Sequence, residues 1–303
     1  MKKLLLAATV ATLAMNAAQA APTLYGKLNV TLDNIDNNGF KDESVTKVNS
    51  NASRIGVKGE EKLTDNLSAV YLAEWQFNTD GDGTDTGSGT DLTQRNRFVG
   101  IKSNGVATLK VGRFDSYFKT AAGNNQDIFN DHNELDMTAI LAGEDRLNNV
   151  IGFETDKKLL AGLAFNIMFQ QGEQSSTNDN TLKGQKGSRD GFGDGISTSL
   201  TYENKDLGLA AAVAGNFAVP MSYKAYGSAL NGTYSDAVRV TGSLDLTPAG
   251  VDGLVFGALW QTAKPSDDTV AVVTGSGATA TTTSYKGLQE NAYGVTAADR
   301  KST

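Results

Sequence analysis

The residues able to do chemistry are few, and their types narrow the choices at once. Cysteine is absent and histidine occurs once, at His132. That excludes thiol catalysis, disulfide frameworks and cysteine-held metals. His132 stands in the polar, loop-like stretch "NDHNELD", and no serine-elbow motif occurs to pair with it. The expectation is a protein with no catalytic residues that is not an enzyme. "TDGDGTDTGSGTD", residues 79–91, offers Asp80, Asp82, Asp85 and Asp91 as oxygen donors for calcium. It fails the EF-hand spacing: Asp85 takes the place where glycine makes the turn, and Asp91 the place where glutamate chelates. An acidic, glycine-rich loop explains it equally well, so neither a metal nor a cofactor is expected.

What remains is charge set on alternating positions, and alternation belongs to strands. In "SRIGVKGEEKLTDNLSAVYLAEWQF", residues 53–77, Ile55 and Val57 share one face while Arg54, Lys58 and Glu60 share the other. Past the turn, Leu67, Ala69, Tyr71, Ala73, Trp75 and Phe77 fall opposite Ser68, Glu74 and Gln76. "TLYGKLNVTLD" sets Leu24, Leu28, Val30 and Leu32 against Tyr25, Lys27, Asn29 and Thr31, and reads as one strand. "DAVRVTGSLDL" sets Val238, Val240, Leu244 and Leu246 against Arg239, Thr241, Ser243 and Asp245. Helical periodicity is confined to the first residues and, faintly, to 133–142. The fold class is all-β.

Connection lengths identify the solvent that each face meets. Short polar turns at 63–66, 103–105, 154–158 and 203–206 alternate with long segments at 37–49, 78–91, 115–145, 172–194, 218–233 and 264–290. A soluble sandwich has no reason for that rhythm, whereas an outer-membrane barrel has tight turns on one side and long loops on the other. Strands of about 9–11 residues suit a tilted crossing of the bilayer. The apolar face then meets lipid and the charged face lines water, which a hydrophobic content of only 39% permits. Trp75, Phe77, Tyr202 and Trp260 lie near strand ends, where girdle aromatics belong.

"MKKLLLAATVATLAMNAAQA" opens with Lys2 and Lys3, continues apolar from Leu4 to Ala14, and ends with Ala18 and Ala20 flanking Gln19. This is the pattern of a secretory signal peptide, residues 1–20, preceding a barrel domain, residues 21–303. Loss of Lys2 and Lys3 takes the formal charge from −7 to −9. An acidic chain is a poor partner for nucleic acid, and here it suggests a weak preference for cations.

"APTLYGKLNVTLD", "SRIGVKGEEKLTDNLSAVYLAEW", "QRNRFVGIKSNGVATLKVGRFDSYFK" and "GEDRLNNVIGFE" together closely resemble Gram-negative general porins. The resemblance implies an antiparallel transmembrane β-barrel of the 16-stranded, homotrimeric type, with a third loop folded inward to narrow the pore. Residues 115–145 occupy that loop's place and bring the acids Asp127, Asp131, Glu134 and Asp136, with Glu144 and Asp145 beyond. By place in their motifs, Lys27, Arg54, Arg95, Arg97 and Arg146 match the basic wall opposite it. Alternation within each strand also puts all five on the wet face. Opposed rows of this kind set a transverse field across the passage, favouring polar solutes and ions.

The function expected is passive diffusion of small hydrophilic solutes and ions through the bacterial outer membrane, among lipid and lipopolysaccharide. The alternatives are a solute-specific channel and, more remotely, a secreted β-rich adhesin or binding module. Counting gives eleven full strands and a twelfth beginning near "NAYGVTAA". The expectation is therefore a barrel that lacks its C-terminal strands, since the resemblance implies about four more.

Overall fold

The computed structural model describes residues 22–36, 44–81, 92–133, 135–173, 189–274 and 281–300. The chain divides into two compact units, Met1–Val111 and Gly112–Thr303. The leader at 1–20, Asp82, Asp85, Asp91 and Glu134 lie outside the described residues.

The first unit holds β1 (Thr23–Lys27), β2 (Val30–Asp36), β3 (Ser44–Ser50), β4 (Arg54–Lys62), β5 (Leu67–Gln76) and β6 (Thr93–Ser103); β7 (Ala107–Asp115) runs through the boundary. β1 pairs with β4, β4 with β5 and β5 with β6, all antiparallel. The single strand expected over "TLYGKLNVTLD" is in fact two. β1 stops before Asn29, and β2 leaves to pair with β3 in a separate hairpin. Local hydrogen bonds replace the ladder at the break. The Asn29 N–H donates to Ser53 Oγ at 3.0 Å, and its carbonyl accepts from the Asn51 N–H at 2.8 Å. Asn51 Nδ2 in turn reaches Thr31 Oγ1 at 2.7 Å. Short polar side chains thus offered the backbone partners that compete with a continuing strand.

The second unit begins with two four-residue helices, α1 (Tyr117–Thr120) and α2 (Met137–Ile140), capped by Ser116 and Asp136. β8 (Arg146–Thr155), β9 (Leu163–Gln170), β10 (Gly195–Asn204), β11 (Leu209–Met221), β12 (Thr233–Asp245) and β13 (Leu254–Pro265) follow as an antiparallel series in chain order. β14 (Thr269–Thr274) and β15 (Thr281–Lys286) form a hairpin within the last long connection, and β16 (Glu290–Asp299) returns to pair with β13. Short turns over 63–66, 104–106, 156–162 and 205–208 alternate with the long connections, as the spacing predicts.

Burial is inverted relative to a water-soluble core. On β12, Val238, Val240 and Leu244 are 39–42% exposed while Arg239 is 0% and Thr241 5%. Ser197 and Ser199 of β10, Asn216 of β11 and Gln261 of β13 are buried as well, while Leu200, Val213 and Trp260 of the same strands are exposed. An exposed apolar face opposite an enclosed polar one is the arrangement expected of a sheet whose outer side meets lipid. No helix among the described residues is long and apolar enough to cross a membrane.

Candidate functional site: a charged wall and an inward segment

The polar face of the first unit is organised around Glu74, which is 8% exposed. Register aligns Tyr25, Gly56 and Glu74 in one row, and Lys27, Arg54 and Gln76 in the next. Arg95 Nε lies 2.6 Å from Glu74 Oε1, and its guanidinium also donates to Gln76 Oε1 at 2.8 Å. Arg54 Nε stands 3.8 Å from Glu74 Oε2, which accepts from the Tyr25 hydroxyl at 2.8 Å. Only a side chain as small as Gly56 fits beneath Tyr25, whose ring would lie 2.5 Å from an added Cβ. Arg54 and Arg95 are thus brought together, with Lys27 exposed beside them.

Arg97 is not. Register pairs it with Ala73, on the apolar face that also carries Tyr71 and Val99. A bulge causes the difference: Ala73 opposes Arg97 while Trp75 opposes Gln94, so Arg95 and Asn96 together face Glu74. One extra residue inverts the parity of everything beyond it. Arg97 therefore leaves the proposed wall and bonds Gln94 near the end of its strand.

Among the described residues seven cations share the polar face of this unit, one of them Lys62, which opposes Ser68 and pairs with Asp65 of the turn at 2.9 Å. Lys27, Arg54 and Arg95 are joined by Lys58, packed over the Tyr25 ring at 5.3 Å, and Lys110, over the Phe98 ring at 4.9 Å. Lys102 completes the set, 2.9 Å from Glu60. Against them stand Glu60 and Glu74. The wall is net positive although the chain is net negative, a contrast that whole-chain charge could not reveal.

In the second unit, residues 115–145 fold back over the strands. At the base, Asp115 Oδ1 meets Lys119 Nζ at 3.0 Å and Arg146 Nε at 3.4 Å, so Arg146 is neutralised locally. Arg239, fully buried, lies 2.5 Å from Glu144 Oε1 and donates to Gln261 Oε1 at 3.0 Å and to the Phe118 carbonyl at 3.3 Å. Its guanidinium also stacks on the Phe118 ring at 4.2 Å. Further along, Asn125 Nδ2 donates to Ser243 Oγ at 3.0 Å and Gln126 Nε2 to the Gly242 carbonyl at 2.8 Å. A cavity of about 390 Å³ opens beside this stretch, lined by Asn124, Gln126, Asn166, Thr201, Tyr202 and Ser243 among others.

Two acids of the segment serve its own backbone. Asp127 accepts from the Met137 N–H at 3.2 Å, and Asp136 from the Ala139 N–H at 2.8 Å. Burial raises both carboxyls above the ordinary range, with neighbouring acids adding to the shift and Lys119 opposing it. Burial raises Glu144 too, against the pull of Arg239 and Lys119. Asp131 sits at a positive φ of 68°. The residues that sequence reasoning did not single out are Glu74, Tyr25, Arg239 and Gln261. Alternation places each on the polar face; only three-dimensional pairing distinguishes them from their neighbours.

A profile of Gram-negative porins matches residues 6–302. The major outer membrane protein P.IB of Neisseria sicca is 30% identical over 228 residues, covering 72% of this chain and 58% of that protein. Its counterpart from Neisseria meningitidis serogroup B is 34% identical over 190 residues, 60% of this chain and 52% of its own length. The chain thus spans a little over half the length of these curated relatives. Among solved structures, the anion-selective porin from Comamonas acidovorans aligns with a TM-score of 0.55 at 17% identity, covering 84% of this chain and 73% of that one. The Salmonella typhi OmpF complex with daunomycin aligns with a TM-score of 0.54 at 15% identity, covering 83% and 67%. At such identities the likeness establishes the fold.

Proposed function

Because the chain belongs to the Gram-negative porin family, we propose that it forms a water-filled channel for passive diffusion of small hydrophilic solutes and ions. Its setting is the outer membrane, as for the relatives named above. The observation that carries the reading is the inverted burial. Arg239, Thr241 and Gln261 are enclosed while Val240 and Trp260 on the same strands face outward. A polar face of that kind suits a lumen, where water and an inward segment, and not an apolar core, fill the space beside it.

The fine reading follows from the same residues. Arg54 and Arg95, with Lys27 beside them, form the basic wall, and Arg146 marks the foot of the inward segment. Asp127, Asp131, Glu134 and Asp136 belong to the narrowing loop. Two of these acids are turned onto backbone N–H groups, and among the described residues the wall of the first unit carries seven cations against two acids. We therefore assign the channel a weak anion preference, in place of the cation preference that net charge suggests. Export by cleavage after Ala20 and assembly as a homotrimer complete the proposal. No enzymatic step enters it.

Liposome swelling with neutral sugars of increasing size tests the channel directly. Swelling that slows steeply with solute size supports the reading, and folded protein that never permits swelling rejects it.

A further inference from the structure

The inward segment is fastened to its wall at two stations, and one arginine joins the ends of the segment at the first. Phe118, near its beginning, gives a carbonyl to Arg239 at 3.3 Å; Glu144, near its end, gives a carboxylate to the same guanidinium at 2.5 Å. Gln261 extends the station by accepting from Arg239 and donating to the Ala142 carbonyl at 3.2 Å, while Glu290 accepts from the Ala142 N–H at 3.0 Å. The second station lies farther along, where Asn125 is held by Ser243 and by Arg300, the latter at 2.5 Å.

We infer that Arg239 is a positioning residue that fixes residues 115–145 against β12 and β13, and thereby sets a single, steady pore width. The inference rests on the channel reading above. Its chemistry is specific to a guanidinium. Arg239 must face a carboxylate, an amide oxygen and a backbone carbonyl at once while stacking on an aromatic ring, and five donors in a planar fork do this. An ammonium offers a compact point charge with no flat face. Arg239 is also fully buried, and a charge there persists only with its partners in place. An anchored and a released segment are therefore discrete alternatives, with no graded series of positions between them.

The test compares open-channel current of the full chain with that of Arg239→Gln, Arg239→Lys and Glu144→Gln. Heat-modifiable gel mobility reports folding of each. We expect one quiet open level for the parent, and sublevels with several-fold greater current noise in Arg239→Gln, Arg239→Lys and Glu144→Gln. Greater noise in a Glu144→Gln variant whose heat-modifiable mobility is parental is a change that a residue serving stability alone would not produce. Folded variants with parental noise overturn the inference. If Arg239→Gln fails to fold, Glu144→Gln, which keeps shape and hydrogen bonding, decides the matter by the same reading. A parental chain that never conducts defeats the channel reading instead. Protease protection of 118–145 then tests the anchor, and unchanged protection in Glu144→Gln overturns it.

Discussion

Glu74 is the residue on which the charged wall depends, because Arg54, Arg95 and Tyr25 all converge on its carboxylate. Glu74→Gln keeps the volume and leaves two guanidinium groups without their shared counter-charge. We expect reversal potentials to shift further toward anions, and stability to fall by about 1–3 kcal/mol in a denaturant titration. Arg54→Ala with Arg95→Ala should move reversal potentials toward cations; unchanged values would remove both residues from the narrow passage. Asp127 and Asp136 supply a pH test. Their carboxyls are raised by burial, so the folded segment binds protons more readily than the unfolded chain. Their contribution to packing is therefore fully present below the ordinary carboxyl value and is lost as pH rises through the raised one. Open-channel noise should decline as pH is lowered from neutrality toward that window. Asp127→Asn should flatten the trend, and a parental chain whose noise grows on acidification would contradict the assignment.

At the scale of elements, alternation was legible strand by strand, and it located Arg239, Thr241 and Ser243 on the face that the structure buries. A bulge was not legible, since "QRNRFVG" alternates the same way with or without one, and only the partner strand shows the extra residue. Single-cysteine variants are clean reporters here because the chain has no cysteine of its own. Arg95→Cys should react with a charged, water-soluble thiol reagent in lipid nanodiscs, and Arg97→Cys should be shielded; equal reactivity would restore Arg97 to the wall. β3 and the β14–β15 hairpin also escaped the reading, lying inside segments that scan as loops, and β2 was read only as the continuation of β1. α2 was faintly visible through its spacing, and α1 was not. Close backbone approach was invisible too: a Cβ on Gly257 would lie 2.0 Å from the Asn125 carbonyl oxygen. Gly257→Val should push that stretch off its strand and lower the steady conductance, whereas an unaltered conductance would show that the contact does not bear on the pore.

For the molecule as a whole, the outward apolar face and the rhythm of its connections were readable from residue order alone, because the bilayer imposes both. Selectivity was not, because it depends on where charge sits and not on how much there is. The formal charge of −7 sums loops, turns and wall together, whereas ions passing through a channel sense the charges nearest them, within about 8–10 Å at ordinary ionic strength. The central claim is a water-filled channel whose narrow wall is basic. Planar bilayer recording under a potassium chloride gradient tests it most directly. Discrete conductance steps and a reversal potential of the sign set by chloride are the expected result. Folded protein that yields no steps, or steps whose reversal potential follows potassium, would contradict it.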